Sequence, residues 1–265
     1  MDALACSKSA AHFITSIALS RDGAQLFRTS LETDVVDVYR VADGALVRTL
    51  GNDDALSFSL PRQVWVMADD GALLIAEWGS HRVQLLAADF SFRAFLGVGV
   101  LERPTGVCAA SASVFVSEGL AQRITVLHVE RNETLFHIPS LVFPQQLCVV
   151  AAMYVAVAEQ LPVLGRVRLF AVADGSPVTA LGAGVLREPM ALAFCARTNK
   201  LAVADFSVGL VALDVDTGAT RIVCRGRCDS VAIHGDVLLS VNNGGPGVSA
   251  RQWAGGADAR AQDAP

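Results

Sequence analysis

Glu77-Trp78-Gly79-Ser80-His81-Arg82 puts a carboxylate, an indole, an imidazole and a guanidinium into one short segment. A carboxylate and an arginine can form a bidentate ion pair or share an anionic ligand. An indole beside cations can stack a ligand or anchor a partner. The acid–Arg spacing recurs at Glu118 and Arg123, and at a longer spacing at Glu159 and Arg166. Asp205 holds the same place with Leu210 where the arginine would fall. Recurrence at a fixed period marks these acids and arginines as scaffold, each arginine bridging a strand-end carboxylate or nearby carbonyls. The indole does not recur, because its counterparts are Gly119 and Phe206. Trp78 and His81 therefore stand out as contact candidates, together with Arg62, Gln63, Gln145 and Gln146, which fall at the expected mouth of a central channel.

Other chemistries find little support. Gly97-Val98-Gly99 and Gly182-Ala183-Gly184 lead into Pro104 and Pro189 and then into strand-like runs. A phosphate loop needs a helix N-terminus after the glycines. Cys224 and Cys228 lie four residues apart, but Cys6, Cys108, Cys148 and Cys195 are scattered, so no second close pair completes a zinc site. The histidines show no paired spacing, and Gly-x-Ser-x-Gly is absent. No catalytic residue, metal or cofactor is expected.

The elements that must position these residues are legible as a repeat. Leu96–Val107, LGVGVLERPTGV, and Leu181–Leu192, LGAGVLREPMAL, are one phrase written twice. Apolar runs opening at Ile14, Pro61, Pro104, Pro144, Pro189 and Cys228 recur at intervals of about 39 to 47 residues. Each is followed by a turn and a second run ending in an acid or polar residue. A third alternating run follows, and an Asp-Gly type turn leads into a fourth. Runs of four to seven residues, rich in Val and bounded by Gly, Asp and Pro, are strands. Four strands per unit of this length define a propeller blade. The chain is thus expected to be all-β: a six-bladed propeller of four-stranded blades over residues 1–253. Residues 254–265, Ala/Gly/Asp-rich, form a disordered tail. The sixth unit supplies three strands, so the fourth is expected from Asp2–Ser7, closing the ring.

The segment E-W-G-S-H-R-V-Q-L (Glu77–Leu85), preceded by a proline and an Asp-Gly turn, resembles the NHL repeat; E-G-L-A-Q-R-I-T-V (Glu118–Val126) resembles it too. The resemblance runs over residues 11–253, clearest in units two and three, and it implies a six-bladed propeller. Its members include RNA-binding propellers attached to RING and B-box domains, and amidating lyases with histidine-bound zinc. WD40 repeats require Gly-His and Trp-Asp pairs at repeat spacing, and neither pair occurs.

Composition narrows the function further. Of 265 residues, 52% are hydrophobic and 18% charged, ample for a buried core. The net charge of −5 gives no general support for binding a phosphate backbone. The longest nearly apolar stretch, Leu147–Ala158, is too short for a spanning helix of about 20 residues. MDALACSKSAAHF has no basic region followed by an apolar one, and six cysteines make no disulfide framework, so a cytoplasmic monomer away from membranes is expected. A propeller lactonase would need channel oxygens for Ca²⁺. The opening strands supply a single acid, Asp229. A non-catalytic scaffold for a protein or peptide is the expected function, with an RNA-binding propeller and a propeller hydrolase as alternatives.

Overall fold

A computed structural model describes residues 14–51, 56–242 and 247–253. All regular structure among them is β-strand and turn, arranged as a six-bladed β-propeller. Five blades are four-stranded antiparallel meanders, and the sixth contributes three described strands. The expected closing strand at Asp2–Ser7 and the tail at 254–265 lie outside the described residues.

The inner strands are Ile14–Leu19, Pro61–Val66, Pro104–Ala110, Pro144–Val150, Pro189–Cys195 and Ser230–His234. They match the openings of the six sequence units, the last starting two residues later. Blade two shows the pattern: Pro61–Val66 pairs with Leu73–Glu77, which pairs with Arg82–Leu86, which pairs with Phe92–Leu96. The second strand is buried along its whole length, while the fourth is mostly exposed and buried only at Leu96. Each blade is too thin to bury both faces alone. Burial is achieved between blades, in six apolar clusters, one per junction. Leu74 and Val83 of blade two meet Val114 and Leu127 of blade three, for example. The junction that closes the circle packs Ile17, Leu26 and Tyr39 of blade one against Leu239, Val241 and Val248 of blade six.

An inner strand has no strand partner on its channel side, so its edge groups need other partners. Side chains supply them across the junctions. Ser230 Oγ accepts from the Ile17 amide at 3.1 Å, and Ser16 Oγ from the Val64 amide at 3.4 Å. Thr15 Oγ1 donates to the Pro61 carbonyl at 3.0 Å, and Thr105 Oγ1 to the Pro144 carbonyl at 2.7 Å. These bonds tie blade six to blade one, blade one to blade two and blade three to blade four without continuous sheet pairing.

Candidate binding site at the channel mouth

In each meander the inner strand begins, and the second strand ends, on one face of the propeller. The turns between strands two and three therefore share that face with the connections between blades. Glu77 sits at this end of its strand, with its carboxylate wholly buried. Arg82 grips it from Nε at 3.0 Å and from Nη2 at 3.3 Å. The same carboxylate accepts from the Ser59 amide at 3.1 Å, pinning the connection from blade one. Glu118 repeats this with Arg123 (2.8 Å) and the Glu102 amide (2.6 Å). Glu159 does so with Arg166 (2.6 Å), Arg168 (3.5 Å) and the Val142 amide (3.1 Å). Asp205, without an arginine, accepts from four backbone amides: Arg187, Glu188, Ser207 and Val208, at 2.8 to 3.0 Å. The shared task is to fasten a strand end to the incoming connection. Burial pushes the Glu77 carboxyl above its ordinary 4.5, against the downward pull of Arg82 and of the Ser59 amide.

The same strand ends generate a cavity. At this end of the blade, each of the first five inner strands carries a register shift. Pro61 faces Glu77 and Gln63 faces Ala76, leaving Arg62 between them. Shifts of the same kind fall at Ile14/Ser16, opposite Ser117/Glu118, at Pro144/Leu147 and at Pro189/Ala191. A bulge re-aims the extra side chain. The extra residues are Thr15, Arg62, Thr105, Gln145 with Gln146, and Met190. They line one cavity of about 140 Å³ at the channel mouth, joined by Asp229 of blade six. Repeated turns and acids thus build a ring in which residue type differs from blade to blade.

Electrostatically the ring is unbalanced. Asp229 is gripped by Arg227 through Nε at 2.9 and 3.0 Å and Nη2 at 2.8 Å. Arg62 has no hydrogen bond or ion pair to its guanidinium among the described residues, and its Nε is buried without a partner. Its charge lies 5.8 Å from the centre of the Trp78 ring, and Arg103 lies over the same ring at 4.5 Å. His81, exposed, accepts from the Arg103 amide at Nδ1 (3.3 Å), which holds the second cation in place. Burial pushes the Arg62 guanidinium below its ordinary range, yet an arginine in a protein stays charged.

The structure divides the six contact candidates. Trp78, His81, Arg62 and Gln145 meet at the mouth face. Gln63 turns into the channel and is buried, donating to the Leu147 carbonyl at 2.9 Å and accepting from the amides of Val107 (2.9 Å) and Leu147 (3.2 Å). Gln146 is buried as well and donates to the Thr15 carbonyl at 2.6 Å. Both amides are committed to neighbouring backbone, because the free edges of the inner strands demand it. Gln146 lines the mouth cavity and also a second cavity of about 180 Å³ further down, which Gln63 lines too, so the amides lie across the line of a through-channel. Phe206, Met190, Thr15, Thr105 and Arg227 are mouth residues that motif reading missed. Aligning the six units and asking which position fails to repeat would have found most of them.

Metal chemistry gains no donor set here. No group of three or more His, Cys, Asp or Glu side chains is placed to hold a metal among the described residues. Cys228 is buried, which pushes its thiol up to about 12, and Cys108 and Cys148 are raised by burial too. Cys224 accepts from Arg251 Nη2 at 3.3 Å. No helix among the described residues is long and apolar enough to cross a membrane.

Fold and site together define a β-propeller with a polar, cation-bearing channel mouth. No family model matches the chain, and no curated protein matches it. Among solved structures it is similar to hydrazine synthase of Kuenenia stuttgartiensis. The TM-score is 0.70 at 12% identity, over 93% of this chain and 97% of that one. At that identity the likeness shows the propeller fold alone.

Proposed function

We propose that the chain is a non-catalytic binding propeller of NHL type that presents its channel-mouth face to a protein or peptide partner. The observation that carries this is the placement of exposed large apolar side chains. Val98, Val100, Leu120, Phe143, Val163 and Phe206 all project from the loops of the mouth face, with relative exposures between 38% and 79%. The same face carries Trp78, which is stacked by two arginines. The opposite face carries fewer, Met153 and Val237, while the other exposed large apolar side chains lie along the outer strands, as at Leu46, Phe92 and Val178. An apolar-rich face of this kind suits an interaction surface. Aromatic and arginine side chains at its centre are the types that dominate binding energy. The face also carries Glu32, Asp34, Glu102 and Glu188 beside Arg103 and Arg187. That mixture is not the uniform positive field a phosphate backbone requires, so protein is favoured over RNA. Among the described residues the cavity is lined by a single acid, Asp229, and Arg227 holds it.

Peptides selected from a random library on the immobilised full chain test the reading. Selected peptides should lose at least about tenfold in affinity to Trp78→Ala/Leu120→Asp. They should keep it against Met153→Asp, in an exposed turn of the opposite face. Equal binding to both variants overturns the assignment of this face.

A further inference from the structure

Six other arginines that are at least partly buried, Arg28, Arg82, Arg123, Arg166, Arg168 and Arg227, each have a carboxylate within ion-pair distance. Arg62 is the exception among the described residues, and it sits where a bulge aims it into the mouth cavity. Stacking on Trp78 offsets part of the cost of burying its charge but accepts none of its N–H groups. With Arg227 and Asp229 paired, the described residues of the ring keep one surplus positive charge. We propose that the mouth cavity is a carboxylate-binding site centred on Arg62, filled by an Asp or Glu side chain of a docked peptide.

The chemistry of the cavity selects that ligand. At about 140 Å³ it is well below the roughly 300–1,000 Å³ typical of cofactor pockets. It has room for one side chain. Ile14, Leu31, Met190 and Phe206 give it apolar walls that suit the methylenes of an acidic side chain. A planar carboxylate matches the guanidinium fork, and a single negative charge balances the surplus. A phosphate dianion would leave excess charge facing Asp229. The peptide as source rests on the docking reading above, whereas the carboxylate site stands on Arg62 and the cavity alone.

Two measurements on the full chain separate these. In the first, sodium propionate and inorganic phosphate are titrated at constant ionic strength, following the Arg62 Nε–H resonance by NMR, assigned by its loss in Arg62→Gln. Propionate should shift it saturably, and phosphate should bind at least about tenfold more weakly. Absence of a saturable shift, or phosphate binding as well as propionate, overturns the site. Arg62→Lys, which keeps the charge but not the fork, serves if Arg62→Gln does not fold. Propionate protection of the chain against thermal unfolding should drop at least about tenfold in potency for it. In the second, random peptides are selected on wild type and on the Arg62 variant. Asp or Glu at one fixed position should be enriched on wild type alone. Peptides that bind without acid preference overturn the acidic side chain as ligand. Propionate binding with no peptide recovered overturns the docking reading and leaves the carboxylate site supported.

Discussion

The side-chain amide of Gln63 pairs with the backbone of Leu147 two blades away, donating to its carbonyl at 2.9 Å and accepting from its amide at 3.2 Å. The same oxygen accepts from Val107 of the intervening blade. One glutamine thereby satisfies the channel edges of blades three and four. Gly106 makes room for it, since a Cβ there would lie 2.7 Å from Gln63 Oε1, from Ser117 Oγ and from the Gln145 carbonyl.

Replacing Gln63 by Met should therefore destabilise the fold more than loss of a surface amide would. It strands two buried amides and a carbonyl, and the expected cost is about 3 kcal/mol. Gly106→Ala should cost at least as much, by forcing the same bridge apart. Urea unfolding midpoints measure both. A change below about 1 kcal/mol in either would show that this bridge does not hold the ring.

Trp78 and Arg82 are neighbours in one turn but should behave oppositely. Arg82→Ala leaves the buried Glu77 without its ion-pair partner and should cost about 2–3 kcal/mol. Trp78→Ala, at a partly exposed position, should cost under about 1.5 kcal/mol and show its effect in peptide binding. Thermal unfolding of both variants beside the binding assay separates the roles.

The Glu77 carboxyl also sets a sign for pH. Its folded value is raised above the ordinary 4.5 by burial, so the folded state holds the proton more tightly than the unfolded one. Its contribution is most favourable below 4.5 and is lost as pH rises from there through the folded value. Without Arg82 the folded value rises further. The stability deficit of Arg82→Ala should widen from pH 4.5 to pH 7.5 and shrink on acidification. Adding Glu77→Gln should flatten that dependence. A deficit independent of pH would disconnect the loss from Glu77.

Asp205 does with backbone what its counterparts do with arginine. Asp205→Ala removes the acceptor for four amides and should cost about 3 kcal/mol, with Asp205→Asn costing about half that. Chemical denaturation reports both. Equal losses would mean that charge, rather than the count of accepted hydrogen bonds, fastens this strand end.

Chelation gives an independent check on the channel. EDTA should leave the melting temperature unchanged, because the described inner strands offer no set of oxygen, nitrogen or sulfur donors for a metal. A drop of several degrees, reversed by Ca²⁺ or Zn²⁺, would contradict this reading of the mouth.

The blade count, the opening residue of most inner strands and the buried acid–Arg clamps were legible in the chain itself. The physical reason is that the strands of a blade are consecutive. Their pairing and turns are local, so they print a period on the sequence, and Glu77–Arg82 lies within one turn of it. The ring at the mouth was decided by tertiary structure. Gln63 meets Leu147 across 84 residues, and Gln146 meets Thr15 across 131. These contacts arise when six strand starts converge, and no local pattern encodes them. Gln63 and Arg62 are adjacent in sequence, yet the bulge sends one amide into the channel wall and leaves one guanidinium facing an open cavity. Chain closure, not residue type, made the first a structural bridge and left the second with no carboxylate partner among the described residues.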